Sequence, residues 1–263
     1  ITTAGWRKVD EIPYDFVRKR LSVVVQHPGT APQLITKGAL ENVLASCARV
    51  QRNKGVQALD QPLLAAIQQR YEGWSAQGYR VLGVAVKSVN EQEHPFTAAD
   101  EADMALAGFL LFFDPPKDGV QATIHSLAEL GVHLKVITGD NEFVARHLGE
   151  IVVLDGAQVL TGSTLNNLGD EALWHAVEAT TIFAEVDPNQ KERIILALKK
   201  RGHVVGYMGD GINDAPSLHS ADVGISVANA VDVAKEAADL VLLKQDLDVL
   251  REGIVQGRKT FAN

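Results

Sequence analysis

The sequence predicts an α/β protein in two parts, an α+β domain with an antiparallel sheet followed by a domain with a parallel sheet. Residues 1–106 contain apolar runs of strand length joined by turns, whereas strands and helices alternate from residue 107 onward. The acidic stretch EQEHPFTAADEAD marks the join between these two patterns. A hydrophobic share of 46% is typical of globular proteins with a buried core.

The first predicted domain, residues 1–106, combines a hairpin with helices. LSVVVQ and QLITK are strand-like segments, and the turn-rich HPGTAP separates them. Strands are predicted at 21–26, 33–37 and 79–87, and helices at 40–49 and 62–77. The single cysteine, Cys47, is expected on the buried face of the first of these helices, because apolar residues surround it at helical spacing.

The second predicted domain, residues 107–250, alternates strands with helices. Strands are predicted at 107–113, 132–137, 181–185, 203–208, 222–227 and 239–243. A helix near 118–130 should end at Gly131, since glycine readily adopts the left-handed cap conformation. Repeated strand–helix units with short connections favour a Rossmann-like doubly wound parallel sheet covered on both faces. Residues 251–263 are expected to begin a further helix.

Composition and charge exclude several classes of protein. The net charge of −8, from 33 acidic and 25 basic residues, argues against a nucleic-acid-binding protein. The longest uncharged apolar run, Met104 to Phe113, has ten residues, about half of the ~20 that a membrane-spanning helix needs. We therefore expect no membrane span in this chain. One cysteine cannot form an internal disulfide, which fits a reducing compartment.

Polar motifs follow several predicted strands of the second domain. DPPK (114–117), TGDN (138–141) and GDGIND (209–214) each come after a strand, and DPNQK (187–191) opens a helix. Because ligands bind at the carboxyl ends of parallel strands, we expect these motifs to form one site. In DPNQK, Asp187 is a favoured N-cap and Pro188 a favoured first helical residue, which places Lys191 in the first turn, at the positive end of the helix dipole.

The residue types in these motifs are suited to phosphoryl transfer. The hydroxyl group of Thr138 and nearby backbone amides can bind phosphate oxygens, Lys191 can neutralise their charge, and Asp210 can bind Mg²⁺. Asp214 either joins Asp210 as a metal ligand or holds the loop in place. Each motif alone is more often structural, since GDG is a common turn; their joint occurrence in this order is the specific signal.

The complete set of motifs resembles a known family. KGA (37–39), DPPK, TGDN, DPNQK and GDGINDAP (209–216) are similar to motifs of the P-type cation-transporting ATPases, whose phosphorylation domain belongs to the haloacid-dehalogenase superfamily. The resemblance implies that the first domain binds ATP, with Phe16 stacking on adenine, Lys37 lining the pocket and Arg18 and Arg80 contacting phosphate. It further implies catalytic roles for Thr138, Lys191, Asp210 and Asp214, a Mg²⁺ site at Asp210 and Asp214, and nucleotide contacts from Gly38, Asp114, Gly139, Asp140 and Asn213.

The resemblance also implies a longer parent protein. In this family the phosphorylated aspartate lies in a DKTGT motif, and this motif does not occur in the sequence. The chain is therefore expected to be inactive alone and to work with the actuator domain and membrane helices of the same pump. Residues 251–263 would lead to the membrane. The chain itself would be soluble and would lie at the cytoplasmic face of a bacterial inner membrane.

Three segments, EIPYDFVRKRLSVVV, KGALENVL and EGIVQGRKTFAN, are most similar in sequence to the bacterial magnesium-transporting branch of this family. Pumps for another cation, such as Ca²⁺ or H⁺, remain an alternative. Two further alternatives are a soluble phosphatase or phosphotransferase of the same superfamily and a nucleotide-sensing module that carries out no reaction.

Overall fold

The protein is represented by a computed structural model that describes residues 4–15, 17–52, 55–90, 95–152, 158–244 and 246–262. The chain divides into two compact units, Ile1–Asp114 and Pro115–Asn263. We refer to them as the first unit and the second unit and describe each by itself.

The first unit is built on a seven-stranded sheet. Its strands are β1 (Arg7–Asp15), β2 (Arg20–Gln26), β3 (Gln33–Ala39), β4 (Cys47–Arg52), β5 (Gly55–Ala58), β6 (Tyr79–Ser88) and β7 (Met104–Phe113), in the spatial order β1-β2-β3-β6-β7-β4-β5. Its helices are α1 (Leu40–Leu44) and α2 (Gln61–Ser75). β4 and β7 are parallel, and the other neighbouring strands are antiparallel. The predicted hairpin is confirmed, because β2 and β3 pair antiparallel.

Both helices of the first unit pack on one face of this sheet. Leu40 and Val43 of α1 lie so close to Gly83 in β6 that a Cβ atom there would come within 3.1 Å of each. Trp74 of α2 contacts Phe109 of β7, with ring centroids 5.2 Å apart. Alternate residues of β2, β3 and β6 are buried under the helices, as the period of two in a strand requires. The residues between them face the other side and are half-exposed.

The helix predicted at 40–49 is wrong in its second half. α1 ends at Leu44, and Cys47 begins β4, which pairs in parallel with β7. The side-chain hydroxyl of Ser46 donates a hydrogen bond to the carbonyl oxygen of Val43 and satisfies an acceptor at the helix end. Pairing with a strand more than fifty residues away overrides the local helical pattern here.

The boundary expected between residues 106 and 107 differs from the observed division, which follows Asp114. β7 was expected to open the parallel domain, but it lies between β6 and β4 in the first sheet. An uninterrupted apolar run indicates a strand without indicating which sheet contains it. Its antiparallel pairing with β6, from Tyr79 opposite Phe113 to Val86 opposite Ala105, shows that β7 belongs to the sheet of the first unit.

The second unit has the predicted α/β pattern with parallel strands. Its strands are β8 (Val136–Ile137), β9 (Gln158–Thr161), β10 (Thr180–Ala184), β11 (Gly206–Met208), β12 (Val223–Val227) and β13 (Leu240–Leu242). Its helices are α3 (Val120–Glu129), α4 (Glu142–Ile151), α5 (Gly162–Asn166), α6 (Asp170–Ala179), α7 (Pro188–Lys200), α8 (Ala215–Ser220), α9 (Asp232–Ala237) and α10 (Leu247–Ala262). The strands pair in parallel as β8-β10-β9 and β11-β12-β13.

Helices cover both faces of β10, as a doubly wound sheet requires. Ile182 and Ala184 pack with Ala145 of α4, whereas Phe183, on the opposite face, packs with Leu173 of α6 and Ile194 of α7. Strands buried on both faces are rich in apolar residues, which explains the continuous run IFA at the end of β10. The buried β10 thus fixes the position of α7, whose first turn contains Lys191.

One helix end of the second unit follows the sequence signal closely, and one helix begins earlier than expected. α3 ends as expected, with Gly131 in the left-handed region at φ +73°. α10 begins at Leu247 and crosses the division expected at residue 250. Within the described part of the chain, no helix combines the length and the apolar character that crossing a membrane requires.

Candidate functional site

The GDGIND loop, residues 209–214, lies at the carboxyl end of β11 and is held together by Asp214. One carboxylate oxygen of Asp214, Oδ2, accepts hydrogen bonds from the backbone amides of Gly211 (3.1 Å) and Asp210 (3.3 Å). The other, Oδ1, accepts from Lys191 Nζ (2.8 Å) and from the hydroxyl group of Tyr207 (2.7 Å). Asp214 is 8% exposed. Both of its oxygens are therefore engaged within the protein, which favours the loop-holding role over metal ligation.

Lys191 reaches Asp214 because of the way α7 begins. Asp187 and Gln190 form a reciprocal capping box, each side chain accepting a 2.9 Å hydrogen bond from the backbone amide of the other residue. Pro188 occupies the first helical position, as predicted. This arrangement places Lys191 in the first turn, where its ammonium group forms an ion pair with Asp214.

The electrostatic environment keeps Asp214 ionised. Burial alone would raise the pKa of this carboxyl group, but the hydrogen bonds from Lys191 and Tyr207 and the positive charge of Lys191 hold it below its ordinary value. Burial and the adjacent negative charge of Asp214 raise the pKa of Tyr207. Tyr207 therefore keeps its proton and remains a hydrogen-bond donor to the carboxylate.

Asp210 differs from Asp214 in exposure. Asp210 is exposed, and its side chain forms no hydrogen bond or ion pair with any residue that the structure describes. Its backbone is fixed at both polar atoms: the amide donates to Asp214, and the carbonyl oxygen accepts from the amide of Val231 (3.0 Å). A carboxylate on a fixed backbone and open to solvent can bind a cation.

Gly209 allows the two parts of this loop to approach closely. A Cβ atom at this position would lie 2.5 Å from the Cβ atom of Asp214. Any other residue would displace Asp214, which explains the glycine at the start of the GDGIND loop. Asn213, which was predicted to contact nucleotide, lies in the 3₁₀ turn Ile212–Asp214 and is partly exposed.

The TGDN motif forms a compact turn after β8. The hydroxyl group of Thr138 donates to a carboxylate oxygen of Asp140 (3.0 Å) and accepts from the Asp140 amide (3.1 Å). Asn141 caps α4, because its side-chain oxygen accepts from the amide of Val144. Gly139 is exposed. The turn therefore lies at the strand end with its hydroxyl group bonded to Asp140, and phosphate binding by Thr138, Gly139 and Asp140 stays a prediction.

Hydrogen bonds link this turn to the beginning of α7. The amide of Thr138 donates to Phe183 (2.9 Å), and the amide of Val186 donates to Thr138 (3.2 Å). Val186 directly precedes Asp187, the cap of α7. Ile137, at the end of β8, also packs with Tyr207 in one apolar cluster. The ends of β8, β10 and β11 thus form a continuous group that includes Thr138, Lys191 and Asp214.

In the first unit, Lys37 and Arg80 lie on the same face of the sheet. Lys37 of β3 is directly opposite Val84 of β6, and Arg80 lies four residues before Val84, so both side chains point away from the helices. Lys37 is exposed and forms no ion pair within the described residues. The guanidinium group of Arg80 lies 3.9 Å from the exposed carboxylate of Asp114. Two cations on one open face could bind an anionic ligand.

Arg18, whose contact with phosphate stays a prediction, forms part of a buried ion pair. Its Nη1 atom lies 2.5 Å from the carboxylate of Glu101, which also accepts hydrogen bonds from Arg20 and Ser22, each at 2.7 Å. Burial alone would raise the pKa of Glu101, but the hydrogen bonds from Arg18, Ser22 and Arg20 hold it below its ordinary value. Within this unit, Arg18 therefore stabilises the turn between β1 and β2.

Two other predicted nucleotide contacts have different outcomes. Gly38 is buried, and a Cβ atom there would lie 2.4 Å from the carbonyl oxygen of Lys19, so this glycine is required for close backbone approach. Phe16 lies outside the described residues, and its stacking on adenine stays a prediction.

Comparison with known proteins agrees with these features. The sequence model described as P-type ATPase, cytoplasmic domain N, matches residues 1–119, and the haloacid dehalogenase-like hydrolase model matches residues 190–254. The magnesium-transporting ATPase, P-type 1, of Escherichia coli K12 is 46% identical over 258 residues, which cover 98% of the chain and 29% of that protein. This chain belongs to the P-type ATPase family.

Other P-type ATPases are also similar along nearly the whole chain. The magnesium-transporting ATPase, P-type 1, of Salmonella typhimurium LT2 is 45% identical over 98% of the chain and 29% of its own length. The calcium-transporting ATPase of Bacillus subtilis is 30% identical over 99% of the chain and 30% of its own length. The chain spans about three tenths of the length of these curated relatives.

The structure of this P-type ATPase chain adds two residues that the sequence motifs did not indicate. Tyr207 was interpreted only as part of a buried strand, although a hydroxyl group in an otherwise aliphatic run directly before GDGIND is a signal that could have been noticed. Glu101 lies in a cluster of three acidic residues with Asp100 and Asp103. No local pattern distinguishes the buried member of this group.

Proposed function

We propose that this chain is the nucleotide-binding and phosphorylation region of a pump that couples ATP hydrolysis, through an aspartyl phosphate, to the transport of a cation, which we take to be Mg²⁺. The observation that carries the proposal is the division of roles in the GDGIND loop. Asp214 is fully engaged in holding the loop, and Asp210 presents beside it a carboxylate that has no partner among the described residues. Fixed, exposed carboxylates at the ends of parallel strands are suited to metal-dependent phosphate chemistry.

Asp210 fits the role of a Mg²⁺ ligand. Magnesium is commonly bound through one or two carboxylates together with substrate phosphate and water, so a single protein carboxylate is sufficient. Within the described residues, no group of three His, Cys, Asp or Glu side chains could hold a metal ion by itself. When bound, Mg²⁺ would neutralise charge on the phosphate oxygens.

Thr138 and Lys191 would act on the phosphoryl group. The hydroxyl group of Thr138 would exchange its present hydrogen bond to Asp140 for one to a phosphate oxygen, and the exposed Gly139 lies in the same turn. Lys191 and the amino end of α7 provide positive charge at the same group of strand ends. Positioning and charge stabilisation account for most of the catalysis in phosphoryl transfer, so these residues need no covalent role.

The nucleotide would bind to the first unit. Lys37 and Arg80 provide two cations on the face of the sheet that α1 and α2 leave uncovered. Half-exposed apolar residues lie between them, including Leu82 and Val84. An adenine base requires apolar contact and the phosphates require positive charge, and this face offers both.

The identity of the transported ion is supported by similarity alone. The relatives named for magnesium transport are 42–46% identical, compared with 30% for the Bacillus subtilis calcium-transporting ATPase. The parent pump would include an actuator domain and membrane helices, with this chain at the cytoplasmic side.

Phosphorylation with labelled ATP tests the proposal. The 263-residue chain should form no acid-stable, hydroxylamine-sensitive phosphoenzyme, because the aspartate of a DKTGT motif is absent from its sequence. The full-length protein that contains this chain should form one, and only when Mg²⁺ is present. Labelling of the short chain, or Mg²⁺-independent labelling of the long one, would contradict the proposal.

A further inference from the structure

Tyr207 is buried in β11, and its hydroxyl group contacts the residue that organises the GDGIND loop. The ring packs with Ile195, Leu218, Ala230 and Ala234, and the residue is 8% exposed. The hydroxyl group donates a 2.7 Å hydrogen bond to Asp214 Oδ1, the oxygen that also accepts from Lys191. The apolar contacts of the ring would be the same for phenylalanine. The hydroxyl group therefore contributes something other than packing.

The hydrogen bonds of Asp214 connect the hydroxyl group of Tyr207 to the backbone of Asp210. Tyr207 and Lys191 fix Oδ1 from two different elements, β11 and α7. With Oδ1 fixed, the carboxylate cannot rotate, and Oδ2 stays directed at the amides of Asp210 and Gly211. Those amides determine where the backbone of Asp210 lies, and hence where its exposed carboxylate points.

We propose that Tyr207 is a positioning residue for phosphoryl transfer: its hydroxyl group holds the Asp214 carboxylate, which in turn holds the Asp210 backbone so that the Asp210 side chain is presented to Mg²⁺. This inference rests on the function proposed above. Residues that support a metal ligand by hydrogen bonding tune metal binding without touching the metal. Tyr207 does so through one intermediate carboxylate.

The first test measures the loop itself, in the 263-residue chain without metal. Tyr207→Phe should accelerate hydrogen exchange at the amides of Asp210 and Gly211, because their common acceptor becomes less restrained. Tyr71→Phe, which removes a hydroxyl group from α2 of the first unit, is the matched control and should leave these amides unchanged. Unchanged exchange in Tyr207→Phe, or equal acceleration throughout the second unit, would overturn the inference.

The second test measures phosphoenzyme formation by the full-length protein. Tyr207→Phe should raise the Mg²⁺ concentration required for half-maximal phosphorylation on the order of tenfold, the size typical of lost support for a metal ligand. The ATP concentration required should change much less, because the cations proposed to bind ATP, Lys37 and Arg80, lie in the first unit and Tyr207 contacts neither. A residue that merely stabilised the fold would lower the amount of active protein and leave both concentrations unchanged, and that result would overturn the inference.

A double substitution identifies the intermediate residue. In an Asp214→Asn background, Tyr207→Phe should have little further effect on hydrogen exchange at Asp210 and Gly211, because the connection is already broken. Full additivity of the two effects would contradict action through Asp214. If the wild-type protein forms no Mg²⁺-dependent phosphoenzyme, the proposed function fails. A normal wild type with an unaffected Tyr207→Phe variant means that this inference alone fails.

Discussion

The ammonium group of Lys191 lies 2.8 Å from a carboxylate oxygen of Asp214, although 23 positions separate the two residues in the chain. Each side chain is less than 15% exposed. The pair joins the first turn of α7 to the GDGIND loop and so connects two of the sequence motifs directly. Because removal of one partner leaves the other charge buried, the pair has consequences for stability as well as for catalysis.

Replacing Lys191 with alanine should destabilise the second unit. Asp214 would lose its only cationic partner among the described residues, and a loss of about 2 kcal/mol in the free energy of unfolding is expected, since Tyr207 and two amides still bind the carboxylate. Urea unfolding followed by NMR signals of the second unit measures this change. Lys199→Ala is the matched control, because Lys199 lies on the same helix in a more exposed pair with Asp222. Equal losses in the two variants would show that the buried pair has no special importance.

Glu101 should make the first unit sensitive to acid. Its folded pKa is lowered, so the unfolded state binds more protons when the pH lies between the two values. The contribution to stability is therefore fully present above the unfolded pKa of about 4.3 and is lost as the pH falls through the folded pKa. Acid unfolding of Glu101→Gln should lack this component.

At neutral pH, Glu101→Gln should lower the free energy of unfolding of the first unit by about 3 kcal/mol, since two guanidinium groups lose their buried anion. The exposed Glu11, paired with Lys8 at the surface, supplies the control variant Glu11→Gln, for which little change is expected. A parallel pH dependence in wild type and Glu101→Gln would refute the assignment.

Features that depend on neighbouring residues were predictable from the sequence. The capping of α7 by Asp187 and Pro188 and the termination of α3 at Gly131 follow from local backbone chemistry and are confirmed. The placement of the GDGIND loop directly after a strand is confirmed for the same reason, although β11 covers only Gly206–Met208 and Val204, expected in a buried strand, is 86% exposed. Turn residues and caps act over three or four positions, and that range is visible in a sequence.

Features that depend on distant pairing were not predictable. β7 was assigned to the wrong sheet because its partner β6 is chosen by tertiary packing, and α1 was extended too far because β4 pairs with β7. The ion pair of Arg18 was not expected, because the buried anion that it binds, Glu101, lies 83 positions away. The sequence does not indicate which strand an apolar run pairs with, or which oppositely charged residue a buried charge binds.

Asp210 and Asp214 should differ when their charges are removed. In the full-length protein, Asp210→Asn should weaken Mg²⁺-dependent phosphorylation far more than ATP binding, because its carboxylate is available to the metal and supports no other described side chain. The measurement is phosphoenzyme formation over a range of Mg²⁺ concentrations, compared with nucleotide affinity. Asp232→Asn, at an exposed position on α9, is the control. Equal losses of phosphorylation and ATP affinity in Asp210→Asn would indicate a structural role.

Lys37 and Arg80 should determine the affinity of the first unit for nucleotide phosphates. Lys37→Ala and Arg80→Ala should each weaken ATP binding by the 263-residue chain roughly tenfold, the value expected for one lost charge-assisted hydrogen bond. Arg70→Ala removes an exposed cation from α2, on the opposite face of the sheet, and should have no effect.

The ligand itself provides a second control for this prediction. Calorimetric titration with ATP and with adenosine separates the phosphate contacts from the contacts of the base. Arg80→Ala should weaken ATP binding and leave adenosine binding unchanged, because a guanidinium group on an open sheet face gains most from an anionic partner. Phe16→Ala should weaken both ligands if its ring stacks on adenine. Absence of ATP binding at millimolar concentration, or equal effects of Arg80→Ala on both ligands, would place the phosphates elsewhere than on this face.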